Sequence, residues 1–232
     1  MVALITGASG AIGKEIAVRL AQKGYKLALG YHRHREIAVR LAEELGERFG
    51  VWAVAIKLDL QDPHLLQAQI EDLSRTMGRI GVLVNNAAVS LVKPLEETSI
   101  EEWNEVISVN LTGAFVACKA VLPAMREGGV IVNVSSMWGS LGASCEAAYA
   151  ASKGGLEALS KSLAKEYPQV KINVASLGWV DTPMNARFSP KERADFFVQN
   201  PSMYPLTPAD AADVVIEAME RDESGATLQK GW

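Results

Sequence analysis

The stretch AAYAASKGGL, residues 147–156, sets one phenol and one ammonium four positions apart among small residues. On an α-helix, residues i and i+4 share a face one turn apart, so Tyr149 and Lys153 point into the same space. A cation beside a phenol favours the phenolate, which lets the pair give up and recover a proton. The spacing alone is weak. A second YxxxK joins Tyr167 to Lys171, and there Pro168 removes a backbone donor and favours a helix end. What distinguishes the first pair must come from the rest of the chain.

Other residues fit for chemistry recur along it. TGASGAIGKEI crowds Gly7, Gly10 and Gly13 into a turn that runs into a helical pattern. Glycine lets backbone approach a phosphate closely, and a helix N-terminus offers free amides and the positive end of a dipole. The arrangement suits a nucleotide, although it is not the G-x-G-x-x-G spacing. Asp59, in LDLQD, can accept from an adenine amino group with Leu60 near the ring, or it can cap the next helix. In NNAA, residues 85–88, small side chains let a cofactor lie across the backbone, and an asparagine can tie strand ends or merely turn the chain. NVSSMWG offers Ser135 and Ser136, and SLGWVDTPM offers Gly178 and Thr182. Asn110, in SVNLTGAF, is a polar residue inside an apolar helical pattern, a place that also suits a buried, satisfied asparagine.

These residues need elements to hold them. Short β-branched runs at 2–6, 26–31, 51–58, 81–86, 129–136, 170–176 and 226–230 read as strands. Helical patterns fill 12–23, 35–48, 63–77, 101–125, 148–166 and 209–221, with Thr98 or Ser99 capping the fourth and Thr207 the last, before Pro208. Strand–helix alternation with unbroken apolar strands predicts a parallel sheet covered on both faces. No linker or tandem repeat interrupts it, so residues 1–232 form one doubly wound α/β domain. In such sheets ligands bind beyond the carboxyl ends of the strands, where strand order reverses. Most of the residues above follow a strand.

Composition narrows the class. A hydrophobic fraction of 49%, a charged fraction of 22% and a net charge of -4 are those of a soluble globular protein and argue against nucleic-acid binding. The longest basic run, HRHR at 32–35, is too short for a groove-binding surface. No basic leader precedes the first apolar run, and no apolar run is expected to cross a bilayer. Cys118 and Cys145 suggest neither a disulfide framework nor, with His32, His34 and His64, a metal site. A reducing cytoplasm is the expected compartment.

In this order and spacing the motifs resemble the short-chain dehydrogenases/reductases, from Thr6 to about Thr182. The family's T-G-x-x-x-[AG]-x-G falls on Thr6, Gly7, Ala11 and Gly13, its N-N-A-G on Asn85–Ala88, and its Asn–Ser–Tyr–Lys tetrad on Asn110, Ser136, Tyr149 and Lys153. Ser136 is chosen over Ser135 because it stands thirteen residues before the tyrosine. Ala11 and Ala88 replace commoner glycines, and Leu177 replaces a proline, which puts local loop rigidity in doubt rather than the chemistry.

The resemblance implies a Rossmann-like domain that moves a hydride between a nicotinamide and a carbonyl or secondary alcohol. It implies cofactor contacts from Gly7, Ser9, Gly10, Ile12, Gly13, His32, Arg33, Asp59, Leu60, Asn86, Ala87, Gly178, Val180 and Thr182, with Tyr149 and Lys153. Tyr149 would give the proton, Ser136 would hold the substrate oxygen, Lys153 would bond the nicotinamide ribose, and Asn110 would hold a water behind Lys153. Bringing a phenol from a pKa of roughly 10 to near neutrality takes about 4 kcal/mol, for which Lys153 and an oxidised nicotinamide carry the correct sign.

The second strand ends in LGYHRHRE, where Gly30 and Tyr31 stand in the place of the acid that selects NAD(H). His32 and Arg33 follow, so NADP(H) is expected, although Glu36 can offset them and no basic residue replaces Gly10. Trp138, Trp179, Phe188 and Phe196 favour an apolar, elongated carbonyl, with 185–205 as a substrate-covering loop. The nearest general likeness is to 3-oxoacyl-(acyl-carrier-protein) reductases, for which Arg126 and Lys171 are candidate docking cations. A sugar or small-alcohol dehydrogenase is the alternative, and a non-catalytic cofactor sensor a more distant one. The family's members pair into dimers or tetramers, often through the helices expected at 101–125 and 148–166.

Overall fold

The computed structural model describes residues 1–125 and 127–232. Arg126, one docking candidate, lies outside the described residues. Seven strands, β1 (Val2–Ile5), β2 (Lys26–Tyr31), β3 (Ala53–Lys57), β4 (Ile80–Asn85), β5 (Gly129–Ser136), β6 (Val170–Leu177) and β7 (Thr227–Lys230), form one parallel sheet. Their order is β3-β2-β1-β4-β5-β6-β7. Every residue of β1, β4 and β5 is buried because helices cover both of their faces; the segments are mainly apolar, with Asn85, Asn133, Ser135 and Ser136 as buried polar exceptions.

On one face α1 (Ala11–Gln22), α2 (Arg35–Phe49) and α9 (Pro208–Glu220) bury Ile16, Leu20, Leu45 and Val215 against β1, β2 and β5. On the other, α3 (Pro63–Met77), α4 (Ile100–Ile107), α5 (Gly113–Val121) and α7 (Ala147–Glu166) form the second layer, with Leu66, Ile70 and Val121 in its core. The order runs outward in both directions from β1 and β4, and the crevice between their carboxyl ends is where a doubly wound sheet binds ligands.

Four local findings differ from expectation. The helix expected over 101–125 is split by a π turn, Ser108–Thr112, which carries Asn110. A short α6 (Met137–Leu141), capped by Ser136, follows β5. The expected loop over 185–205 contains α8 (Pro190–Gln199), held by a capping box between Ser189 and Glu192. The helical run Ile100–Ala124, whose most apolar 18-residue window has mean hydropathy 1.6, is long and apolar enough to cross a membrane by length and composition, contrary to expectation. Half of that window is buried within this fold, where the run forms part of the layer over the sheet.

The small residues of α7 serve contacts within the chain. A Cβ on Gly154 would lie 2.8 Å from Gly139 O, and one on Gly155 would lie 2.8 Å from Leu111 Cδ2. They let α7 approach α6 and the π turn closely.

Candidate active site

The turn after β1 is built around glycines. Gly7 has φ +66°, a conformation that side chains resist, and a Cβ on Gly13 would meet Gly7 O at 2.3 Å. Gly10 precedes α1 in extended conformation, and no side chain caps the first-turn amides, whereas Asp62, Ser99, Ser189 and Thr207 cap α3, α4, α8 and α9. Those amides are free for an anion, with half-buried Ser9 before them and Ile12 reaching the cleft. The chemistry of this donor set fits a dinucleotide's phosphates.

Asn86 and Ala87 brace the same turn. Thr6 Oγ1 accepts from the amides of both, at 3.0 and 3.1 Å, and Asn86 Nδ2 donates to Thr6 O and Gly7 O at 3.0 and 3.2 Å. Asn85 ties β4 to β5 by donating to Asn133 Oδ1 at 2.8 Å. Farther out, Asp59 accepts from Gln61 N at 3.0 Å and faces His32 Nε2 at 3.8 Å. It does not cap α3, since Asp62 does. Leu60 packs where a Cβ on Gly113 would meet it at 2.8 Å. Arg33 is exposed and makes no ion pair among the described residues.

At the other end Gly178 N donates to Lys230 O at 2.8 Å, and a Cβ there would meet Gly231 O at 2.6 Å. Val180 is buried and Thr182 half-buried, and both line the cleft.

The cleft itself has a volume of about 540 Å³, an ordinary size for a small-molecule site. Ser136, Tyr149 and Lys153 line it together. Ser136 Oγ accepts from Trp138 N at 3.3 Å as the cap of α6. Lys153 is 2% exposed, donates from Nζ to Val134 O at 2.7 Å and lies 5.7 Å from the Tyr149 ring centroid. Burial pulls its ammonium down to about 8, and the Glu157 carboxylate opposes that shift.

Tyr149 departs from the expected shift toward neutrality. Burial, and then the carboxylate of Glu146, push its phenol up to about 12, with the Ser136 hydroxyl acting the other way. The phenol is therefore held protonated. Asn110 is joined to the site at one remove. Its Oδ1 accepts from Val89 N at 2.8 Å, and its Nδ2 donates to Val89 O and to Ser152 Oγ at 2.9 and 3.1 Å. Among its side-chain atoms, only the second lone pair of Oδ1 is left for a water.

The control pair is not brought together: Tyr167 ends α7, and Lys171 stands on β6, 4.0 Å from Asp222. Lys171 is also remote from the cleft, about 20 Å up the strand from Leu177 at 3.3 Å per residue. The 185–205 segment packs Phe188, Phe196 and Phe197 against Trp179, with ring centroids 5.3, 5.4 and 5.9 Å away. Asp181 latches it by accepting from Trp179 Nε1 at 3.1 Å and Arg193 Nη2 at 2.8 Å.

Three charged residues here escaped the sequence reading. Glu146 lines the cleft three residues before Tyr149, and burial raises its carboxyl while Arg187 opposes. Arg187 bonds Ser90 across the cleft mouth. Glu157 sits one turn beyond Lys153. The i–3 and i+4 spacings about the YxxxK pair were signals for both acids; nothing local marked Arg187.

Comparison with known proteins agrees with this geometry. The family model described as "short chain dehydrogenase" matches residues 1–193. The chain is 32% identical over 231 residues to the uncharacterized oxidoreductase YmfI of Bacillus subtilis, covering 98% of this chain and 94% of that one. It is 34% identical over 203 residues to the 3-oxoacyl-[acyl-carrier-protein] reductase FabG of Staphylococcus aureus, covering 86% and 82%. A blue fluorescent protein from a metagenomic library, crystallised with NADPH, superposes with a TM-score of 0.91 at 30% identity, over 99% of this chain and 96% of the other.

Proposed function

The chain belongs to the short-chain dehydrogenase family, and from that premise we propose that it reduces apolar, elongated carbonyl substrates with NADPH, 3-oxoacyl thioesters foremost. The family makes it an oxidoreductase acting between CH–OH and C=O with NAD(P). The observation that carries the finer reading is the meeting of Ser136, Tyr149 and Lys153 on the floor of an aromatic-walled cleft. The nicotinamide, when bound, supplies the hydride.

The residues of the chain do the rest. Ser136 orients the substrate oxygen beside the phenol. Tyr149, held protonated, passes its proton to that oxygen, and the phenolate left behind is stabilised by the Lys153 ammonium. Val134 O fixes the lysine, and Asn110 fixes the Val89 strap and, through Ser152, the start of α7. The amides opening α1 would hold the phosphates, with Gly7, Ser9, Gly10, Ile12 and Gly13 around them; Asn86 and Ala87 brace that turn. Asp59 and Leu60 would serve the adenine, and Gly178, Val180 and Thr182 the nicotinamide.

The thioester reading is supported by the likeness to the Staphylococcus reductase and by Trp138, Trp179, Phe188 and Phe196 in the cleft wall. Glu146 and Arg187 favour a second reading, a polar alcohol or sugar, because both are charged groups at the cleft. NADP(H) is supported by exposed Arg33 and by Gly30: a Cβ there would meet Leu58 Cδ1 at 2.7 Å and Ile5 O at 2.8 Å, so no acid can stand at that position. The NADPH complex of the metagenomic relative points the same way. A cytoplasmic homo-oligomer is part of the same proposal, with Ile100 and Phe115 exposed on the paired helices at 69% and 44%.

The test is a panel of acetoacetyl thioesters, simple ketones and sugar alcohols, run with both cofactors. Arg33→Ala raises the Michaelis constant for NADPH about tenfold, equivalent to about 1.4 kcal/mol, and leaves that for NADH nearly unchanged. A parent enzyme that prefers NADH returns His32 and Arg33 to surface charge, and turnover of sugar alcohols alone displaces the thioester reading.

A further inference from the structure

Glu157 is a buried carboxylate, 7% exposed, that the chemistry above leaves unused. It lies four residues beyond Lys153 on α7, so the two side chains share a helical face. Its Oε1 accepts from Ser135 Oγ at 2.8 Å and Ser176 Oγ at 3.3 Å, and its Oε2 from Ser140 Oγ at 3.2 Å. These hydroxyls come from β5, β6 and α6, and each adjoins the cleft. Ser135 precedes Ser136, Ser176 stands two residues before Gly178, and Ser140 follows Trp138 and Gly139. Ser135 Oγ also reaches Lys153 O at 3.3 Å.

Hydroxyls would hold an uncharged amide at this place as well, so they do not account for the charge. The lysine does. Lys153 is buried, its hydrogen-bond acceptor Val134 O is neutral, and a buried ammonium is costly without a counter-ion. α4 also packs against α7; its Glu102 pairs with Lys93, and its Glu101 and Glu105 are exposed. β5 and α6 contain no charged residue, Lys171 of β6 sits at the strand's far end with Asp222, and Lys230 of β7 is exposed. Tyr149 and, beyond it, Glu146 are the titratable groups on the other side of Lys153.

We propose that Glu157 is a positioning residue that acts through Lys153. Its carboxylate, clamped by hydroxyls from three elements, keeps the lysine an ammonium beside Tyr149 and ties together the strand ends that frame the cleft. Only the consequence for turnover rests on the reductase reading; the charge coupling itself does not.

The experiment is a direct titration of Lys153 by NMR in protein labelled with ¹³C-lysine, the resonance assigned by its loss in Lys153→Met. In Glu157→Gln the midpoint falls by about one unit or more, because an opposite charge one helical turn away has been removed. In Glu157→Asp, which withdraws the charge by one methylene, it falls by less. The alkaline limb of carbonyl reduction follows the NMR midpoint downward. A Lys153 midpoint that is the same in the parent and in Glu157→Gln overturns the inference, whatever the activity. Should the glutamine variant fail to fold, an unmoved midpoint in Glu157→Asp overturns it instead. A parent that titrates as expected but reduces no carbonyl leaves the coupling standing and sinks the reductase reading alone.

Discussion

At the scale of single residues, the site separates two protons that the opening motif would treat alike. Tyr149 is pushed up to about 12 and Lys153 down to about 8, both chiefly by burial. The phenol thus keeps its proton across the neutral range, while the ammonium is lost as pH rises through about 8. Carbonyl reduction should therefore fall on the alkaline side with a midpoint near 8, and Lys153→Met should move that limb to higher pH, where only the phenol titrates. A pH–rate profile checks both. Tyr149→Phe removes the proton donor and little else: turnover drops about 10²-fold or more, with the circular dichroism and cofactor affinity of the parent. Tyr167→Phe, at the end of α7 and away from the cleft, changes turnover by less than about twofold. Equal losses in the two variants would mean that neither phenol is the donor.

At the scale of elements, α8 and the Trp179 segment stand out. No residue of α8 is buried, so its helicity depends on the Ser189–Glu192 capping box and Pro190 rather than on a core. The Asp181–Arg193 pair is half-exposed, and such a pair contributes at most about 1 kcal/mol. This helix, α8, is thus an element of low local stability. Ser189→Ala removes about 1 kcal/mol from the cap. Local opening should then rise about fivefold, read as faster proteolytic cleavage within 190–199. The Michaelis constant for the carbonyl substrate should rise while that for NADPH stays put, because the glycine turn lies on a different element. An unchanged cleavage rate would show that aromatic packing about Trp179 holds α8 without its cap.

At the scale of the whole molecule, the cofactor contacts we propose join both halves of the sheet, from the turn after β1 to Gly178 after β6. Binding to the folded chain alone raises stability by mass action. If NADPH binds tenfold more tightly than NADH, equal saturating concentrations should differ by about 1.4 kcal/mol, or about 3–6 °C in melting temperature for a chain of this size. Differential scanning fluorimetry reads this without any substrate. Equal shifts would remove the basis for cofactor selection at Arg33.

Much of this was written locally. Strand–helix alternation, the caps at Ser99 and Thr207, the glycine turn and the Tyr149–Lys153 spacing are short-range features, and local sterics and periodicity suffice to read them. The box at Ser189 and Glu192 is equally local, and it makes a helix, α8, of part of the expected loop. Other properties depended on residues distant in sequence. Asn86 spends its amide on Thr6 and Gly7, Asn110 on Val89 and Ser152, and Glu157 meets hydroxyls from three elements. The direction of the Tyr149 shift belongs with them. A pKa answers to total burial and to every neighbouring charge, whereas the sequence offered one cation four residues away. The sequence by itself determined which groups enter the crevice; only the folded chain decided which of them are charged and what each one holds.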